Sequence, residues 1–373
     1  MMMKVAAEKT AQKIVQPRAA AIDLSGEFPW DWVEAFGRQG FLSFFLPEEY
    51  GGVNGDLISF CLAIEEIAKV SGSASLIMLA QGVATLPILL SGNSTQKDLC
   101  FAEISEKNRL VAFGLREPEG QGEFSFLRTT AERSGKGYRI NGKKSFVTHG
   151  SLAKYYSVFA VTHSQNGNQE ISAFVVEEGM PGLSFGKKEQ TVGMRGSVIT
   201  DVMFENCQVP QEDLLGEEGD GSKIAKKTLI RSRPVIGAQA VGIAQGALDF
   251  AIRYSNERVQ FGKPISSFQA IQTMIADSFT ELEAARLMVL RAAYLKEKGS
   301  RFTREASMGK LMATETANRV CYRALQILGG YGYIREYPLE RYARDCRVTT
   351  IYEGTSEIQR LVIAREILGN NCT

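Results

Sequence analysis

Apolar residues recur at intervals of three and four through most of the first hundred positions. Residues 58–70 place apolar side chains at this spacing around Glu65 and Glu66, and residues 73–90 are dense in Ala, Leu, Ile and Met. Both stretches predict helices. The segment Leu46-Pro47-Glu48-Glu49-Tyr50-Gly51-Gly52 interrupts them as a turn-prone loop. From Arg109 to about Asp213 the period shortens to two, and Gly, Asn and Asp punctuate short apolar runs. Tyr138-Arg139-Ile140 followed by Asn141-Gly142 predicts a hairpin turn at the Asn-Gly pair. Phe174-Val175-Val176 and Val202-Met203-Phe204 read as buried strands. From Gly221 the helical period returns, with long amphipathic stretches at residues 281–298, 305–328 and 357–368.

Helix, then strand, then helix predicts an α+β multidomain chain. The expected parts are an N-terminal helical domain at residues 1–108, a middle β-sandwich or barrel domain at 109–215, and a C-terminal helical bundle at 216–373. A length of 373 residues supports two or three such cores.

Composition narrows the function classes. The formal net charge of +1 gives no electrostatic case for nucleic acid as a partner. No apolar run is expected to reach a membrane span of about 18 residues. Residues 1–16 carry Lys4, Lys9 and Lys13 with no apolar core behind them, so they read as a weak amphipathic helix and not as a secretory signal. The six cysteines form no CxxC pair, which argues against zinc and suits reduced thiols in a cytoplasmic protein. With only His149 and His163 present, no metal site is expected, and acid–base chemistry falls to carboxylates.

Three glycine-containing segments stand out: Arg116-Glu117-Pro118-Glu119-Gly120-Gln121-Gly122, Gln326-Ile327-Leu328-Gly329-Gly330-Tyr331-Gly332-Tyr333 and Tyr352-Glu353-Gly354-Thr355-Ser356-Glu357. Glycine lets backbone approach a ligand, or simply makes turns and caps; none of the three fits a Rossmann or Walker pattern. Glu353 is either a general base or an exposed loop acid, and Thr355 or Ser356 can cap the helix that follows. Phe146-Val147-Thr148 offers a ring and a hydroxyl to a flat heteroaromatic ligand, or else ends a strand over the core. Met288, Met308 and Met312 read as core fillers, and residues 223–227 as a solvated basic helix face.

The order of these segments resembles the acyl-CoA dehydrogenase superfamily over nearly the whole chain. The resemblance is carried by Arg233-Pro234, Glu257-Arg258-Val259-Gln260-Phe261-Gly262-Lys263-Pro264-Ile265, Gln269-Ala270-Ile271, the Gln326–Gly332 segment, Glu336-Tyr337-Pro338, Arg344-Asp345 and Ile351-Tyr352-Glu353-Gly354-Thr355-Ser356-Glu357-Ile358-Gln359. It implies a C-terminal four-helix bundle and an FAD cofactor between bundle and β domain. It implies that Phe146, Val147 and Thr148 pack on the isoalloxazine, with Phe113, Leu115 and Arg116 on its pyrimidine side and Gly122 in the adjoining turn. Arg258, Gln260, Phe261, Gln269, Gln326, Gly329 and Gly330 would reach the FAD of a neighbouring subunit in a homotetramer, while Thr355 and Glu357 complete the pocket within the chain. Glu353 matches the position of the family's catalytic base, and Arg233, Tyr352 and Gly354 would meet the substrate. Some members place the base where this chain has Ser232, which cannot act as a carboxylate.

The implied reaction is α,β-dehydrogenation of an acyl thioester, the thioester carbonyl held by the Glu353 N–H and a flavin hydroxyl. An electron-transferring flavoprotein is the implied electron acceptor. The chain departs from the pattern at Arg116, Gln121-Gly122-Glu123, Phe146 and Ile230. With the short N-terminal region, the polar contacts missing at Gly122 and Ile230 point to an acyl-carrier protein rather than coenzyme A as the better carrier of the thioester, with both kept open. That includes a hydroxyacyl-carrier dehydrogenase of secondary metabolism. Arg116 keeps a flavin-dependent oxidase or monooxygenase on the same fold as an alternative, against which the retained Glu353 argues.

Overall fold

The computed structural model describes residues 2–119, 126–165 and 168–369. The N-terminal part comprises α1 (Met2–Thr10), α2 (Ala19–Ser25), α3 (Trp30–Arg38), α4 (Leu57–Ala68), α5 (Gly72–Ser91) and α6 (Ser94–Lys107). Three of these begin on a side-chain cap. Asp56 accepts from the Ser59 N–H, Ser71 from the Ala74 N–H, and Asn93 and Gln96 form a reciprocal capping box. Each such cap contributes about 1 kcal/mol and fixes where the helix starts.

The middle part contains β1 (Val111–Gly114), β2 (Thr130–Ser134), β3 (Gly137–Thr148), β4 (Tyr155–Gln165), β5 (Asn168–Glu177), β6 (Leu183–Phe185), β7 (Ile199–Pro210) and β8 (Leu214–Leu215). They join one mixed sheet in the order β6-β7-β3-β2-β4-β5-β8, with β1 parallel to β4. The hairpin between β2 and β3 does not turn at Asn141-Gly142. It turns at Gly135-Lys136, where Ser134 faces Gly137. Asn141 and Gly142 lie inside β3, at a register shift against β7. Gly142 takes φ +143° there, and a Cβ would stand 2.6 Å from Thr129. The glycine serves a bulge and a close approach, a use of the residue that local sequence does not distinguish from a turn.

The C-terminal part opens with α7 (Gly221–Glu257), a helix of 37 residues. A short ribbon of β9 (Val259–Gln260) and β10 (Lys263–Pro264) follows, then α8 (Gln269–Glu297), α9 (Thr303–Leu328), α10 (Leu339–Arg347) and α11 (Ser356–Leu368). The α7 helix packs on α4, α5, α8 and α9. Its approach to α4 needs glycine: a Cβ at Gly242 would meet the Glu65 carbonyl at 2.4 Å, and one at Gly246 the Lys69 carbonyl at 2.1 Å. Contrary to the expectation from sequence, α5 and α7 are each long and apolar enough to cross a membrane; 83% of each apolar window is buried inside the protein. Their length is core, and one apolar cluster runs through all three parts. Met288, Met308 and Met312 are half-buried, and Met312 packs against this cluster as a core filler.

The parts are clamped where α10 meets the β6–β7 loop. Arg344 pairs with Asp23 at 2.6 Å and with Glu340 at 2.6 Å. The buried Asp345 accepts the Met194 N–H at 2.5 Å. A Cβ on Gly193 would overlap the Arg344 backbone at 2.4 Å, so only glycine lets the loop lie this close.

Candidate active site

Glu353 stands in the turn between the 3-10 segment Val348–Thr350 and α11, with φ 54°, followed by Gly354 at φ 91°. A non-glycine residue in this region is uncommon and is held only by its surroundings. The surroundings are specific. Thr355 caps α11 by accepting the Ile358 N–H at 3.4 Å. The buried Gln359 donates to the carbonyls of Glu353 at 3.3 Å and Gly354 at 3.1 Å. From α9, Lys310 donates to the Gly354 carbonyl at 2.9 Å. A side chain at position 354 would reach within 2.5 Å of Gln359 Nε2.

The Glu353 carboxylate accepts from the Ser232 hydroxyl at 2.6 Å. Burial pushes its pKa up, opposed by the Ser232 hydrogen bond and by the charges of Arg233 and Lys310. Burial pulls Lys310 down to about 8, against the attraction of Glu353. Arg233 is buried and donates to Ser307 Oγ at 3.0 Å. Tyr352 donates to Gln239, whose amide donates in turn to Ser75 Oγ at 2.9 Å, tying the turn to α5. Beside Ser232 lies a cavity of about 260 Å³. Phe45, Leu57, Phe60, Val83, Leu86 and Leu89 supply most of its apolar wall.

A second group forms on the sheet. Phe113 lies on β1, and Leu115 and Arg116 follow it. The Arg116 carbonyl accepts the Ser145 N–H at 2.8 Å, so this segment lies against β3. A bulge between Lys144 and Val147 gives Phe146 φ 54° and leaves its ring 63% exposed, while Val147 turns inward and Thr148 is half-buried. The buried Lys144 underpins the bulge. Its ammonium donates to Glu117 at 2.5 Å and to the Leu115 carbonyl at 3.3 Å. Glu117 also accepts the N–H groups of Arg128 and Thr129 at 2.5 and 3.0 Å. Burial pushes Glu117 up, but Lys144 and these donors hold it below the usual carboxylate range. Burial pulls Lys144 down to about 8. The end of β3 reaches the loop that meets α10: the His149 N–H donates to the Val198 carbonyl at 2.8 Å. Gly122 lies outside the described residues.

A third group is elsewhere. Gln260, Phe261, Gln269, Gln326, Gly329 and Gly330 are all exposed, Phe261 at 92%. Arg258, half-buried, lies over the Tyr331 ring at 5.4 Å. It follows the last residue of α7, roughly 39 Å along the helix axis from Ser232 at 1.5 Å per residue. One chain therefore does not bring this group to Glu353. Glu357 is exposed on the first turn of α11, next to Thr355.

Three family models match in series: the acyl-CoA dehydrogenase N-terminal domain at residues 1–106, the middle domain at 112–207 and the C-terminal domain at 219–368. The chain belongs to the acyl-CoA dehydrogenase family. It is 42% identical over 369 residues to an acyl-CoA dehydrogenase of Bacillus subtilis, covering 99% of this chain and 97% of that one. It is 41% identical to the caffeyl-CoA reductase–Etf complex subunit CarC of Acetobacterium woodii, over 99% and 97% of the two chains. Among solved structures, butyryl-CoA dehydrogenase from Megasphaera elsdenii superposes with a TM-score of 0.95 at 39% identity, covering 98% and 97%. Acyl-CoA dehydrogenases are FAD-dependent oxidoreductases acting on CH–CH bonds, and so is this chain. Its residues fit the cofactor: Phe146 exposes a flat ring next to the half-buried Thr148 on a strand that pairs with Arg116, and a Cβ at Gly329 or Gly330 would meet nothing within 4 Å.

Local sequence did not single out Lys310 or Lys144, and it presented Glu117 and Gln359 only as members of longer segments. Each lysine reads as an ordinary surface polar residue until its distant partner is known.

Proposed function

We propose that this enzyme dehydrogenates an acyl-CoA thioester between its α and β carbons, with Glu353 removing the α-proton. The observation that supports this most is the Glu353 carboxylate hydrogen-bonded to Ser232, itself a wall of the apolar cavity. An acyl chain in that cavity has its first carbons beside the carboxylate. Glu353 takes the α-proton, and its own N–H is offered to the thioester carbonyl as negative charge develops there. When bound, FAD supplies the acceptor for the β-hydrogen, taken as hydride. Phe113, Leu115, Arg116, Phe146, Val147 and Thr148 form the surface on which its ring system is held. Arg233 and Tyr352 position the turn and line the approach to it.

In this reading the group around Arg258 and Gln326 serves the FAD of a neighbouring subunit in a homotetramer. Its distance from Ser232 supports that, as do exposed Phe279, Leu287 and Tyr322 on α8 and α9. An electron-transferring flavoprotein, the kind of partner that CarC is named for, would serve this chain as the electron acceptor.

The test is anaerobic bleaching of the flavin. Glu353→Gln should keep FAD bound and lose at least about a hundredfold in the rate of reduction by acyl-CoA. Near-normal bleaching would remove Glu353 from the role. The same acyl group presented on coenzyme A and on a carrier protein decides between carriers; CoA is expected to be the better donor.

A further inference from the structure

The turn that carries Glu353 is gripped twice by α7. Ser232 donates to the Glu353 carboxylate at 2.6 Å, and Gln239 accepts the Tyr352 hydroxyl through its side-chain carbonyl. The two helix positions are seven apart, close to two full turns, so they lie on one face of α7. Both side chains are fully buried. The residues they hold are consecutive and sit where the backbone is strained, with Glu353 at φ 54°. A residue in that conformation depends on its neighbours to stay there.

Gln239 also faces the other way. Its amide nitrogen donates to Ser75 Oγ at 2.9 Å and to the Gly72 carbonyl at 3.4 Å, both in the first turn of α5. An amide suits this junction, since one end accepts while the other donates. The same turn of α5 holds the loop between β6 and β7: Ser73 Oγ accepts the Gly196 N–H at 3.2 Å. Two residues on, the Val198 carbonyl takes the His149 N–H, and Ile199 pairs with Thr148. A path of packed, hydrogen-bonded residues thus runs from the Glu353 turn through Gln239 and the head of α5 to the strand end that bears Phe146 and Thr148.

We propose that Gln239 is a positioning residue that sets the Glu353 turn against the flavin face, so that base and hydride acceptor address adjacent carbons of one acyl chain. Fully buried, it acts through Tyr352 and the turn. Taking a proton from one carbon and a hydride from the next tolerates little error in that spacing, and a misplacement of about 1 Å costs about a hundredfold in rate. The inference rests on Glu353 being the base.

The test uses the FAD-loaded enzyme and straight-chain CoA esters from butyryl to octanoyl, the best of which is kept for the variants. Gln239→Met preserves the length of the side chain and removes its hydrogen bonds. It should retain FAD and its half-saturation by the ester, yet lower the limiting rate of anaerobic flavin reduction by about tenfold to a hundredfold. Backbone hydrogen–deuterium exchange at residues 352–355, read without substrate, should quicken in the same variant. Gln239→Glu, kept neutral by burial, can still accept from Tyr352 and donate to Ser75, so it should recover most of the rate. An unchanged limiting rate in Gln239→Met overturns the inference, as does a loss confined to half-saturation, unchanged exchange at the turn, or a loss that Gln239→Glu does not recover. Glu353→Gln is measured alongside. If it bleaches at a near-normal rate, the base reading fails and takes this inference with it; a slow Glu353→Gln beside a normal Gln239→Met sinks this inference alone. Should Gln239→Met not fold, Tyr352→Phe breaks the same bond from the other side and must show the same slower limiting rate and faster exchange.

Discussion

In the role of base proposed for Glu353, two requirements conflict. A base that works on a weakly acidic carbon must be shielded from water, yet shielding favours its protonated form. Lys310 answers both: its charge opposes the protonation of Glu353, and its N–H holds the Gly354 carbonyl that shapes the turn. Replacing it by methionine should therefore do two things. The acid limb of the pH profile for flavin reduction should move to higher pH, because Glu353 then gives up its proton later. Stability should fall by about 1 kcal/mol for the lost hydrogen bond. A limb that stays in place in Lys310→Met would show that the cation does not tune the base.

At the scale of elements, the bulge of β3 depends on a buried ion pair. Lys144 and Glu117 are both almost fully enclosed, and Glu117 collects two backbone donors as well. Breaking such a pair strands a charge, at a cost of about 3–5 kcal/mol. Lys144→Met should lower the melting temperature of the holoenzyme accordingly and speed FAD loss, because Leu115 and the Phe146 bulge lose their common anchor. Adding Glu117→Gln should recover part of the loss; a double variant no better than the single one would mean the pair is not the anchor. The long helices were legible because their apolar period persists over many turns. The Glu353 turn and the Phe146 segment stood out in the sequence because their motifs are contiguous. The Asn141-Gly142 bulge was misread since a two-residue motif carries no information about the strand beside it. The short α10 escaped notice among charged residues. Lys144 and Lys310 were illegible for a different reason: a lysine is normally solvated, and their partners come from other elements, 27 and 44 residues away.

For the whole molecule, the expectation is a tetramer of 41.0 kDa subunits. Sedimentation velocity at working concentrations checks it, and a monomer saturated with FAD would refute it. The proposed assembly would also place a demand on α7. Ser232 stands in one turn of this helix and Arg258 just past its end, so in that tetramer a single rod would fix both the distance and the angle between two half-sites serving different cofactors. Such a rod tolerates changes of side chain far better than changes of length. One residue inserted midway would rotate Arg258 by about 100° relative to Ser232. Each half-site would survive intact within its own subunit, and the two would no longer face the flavins they complete.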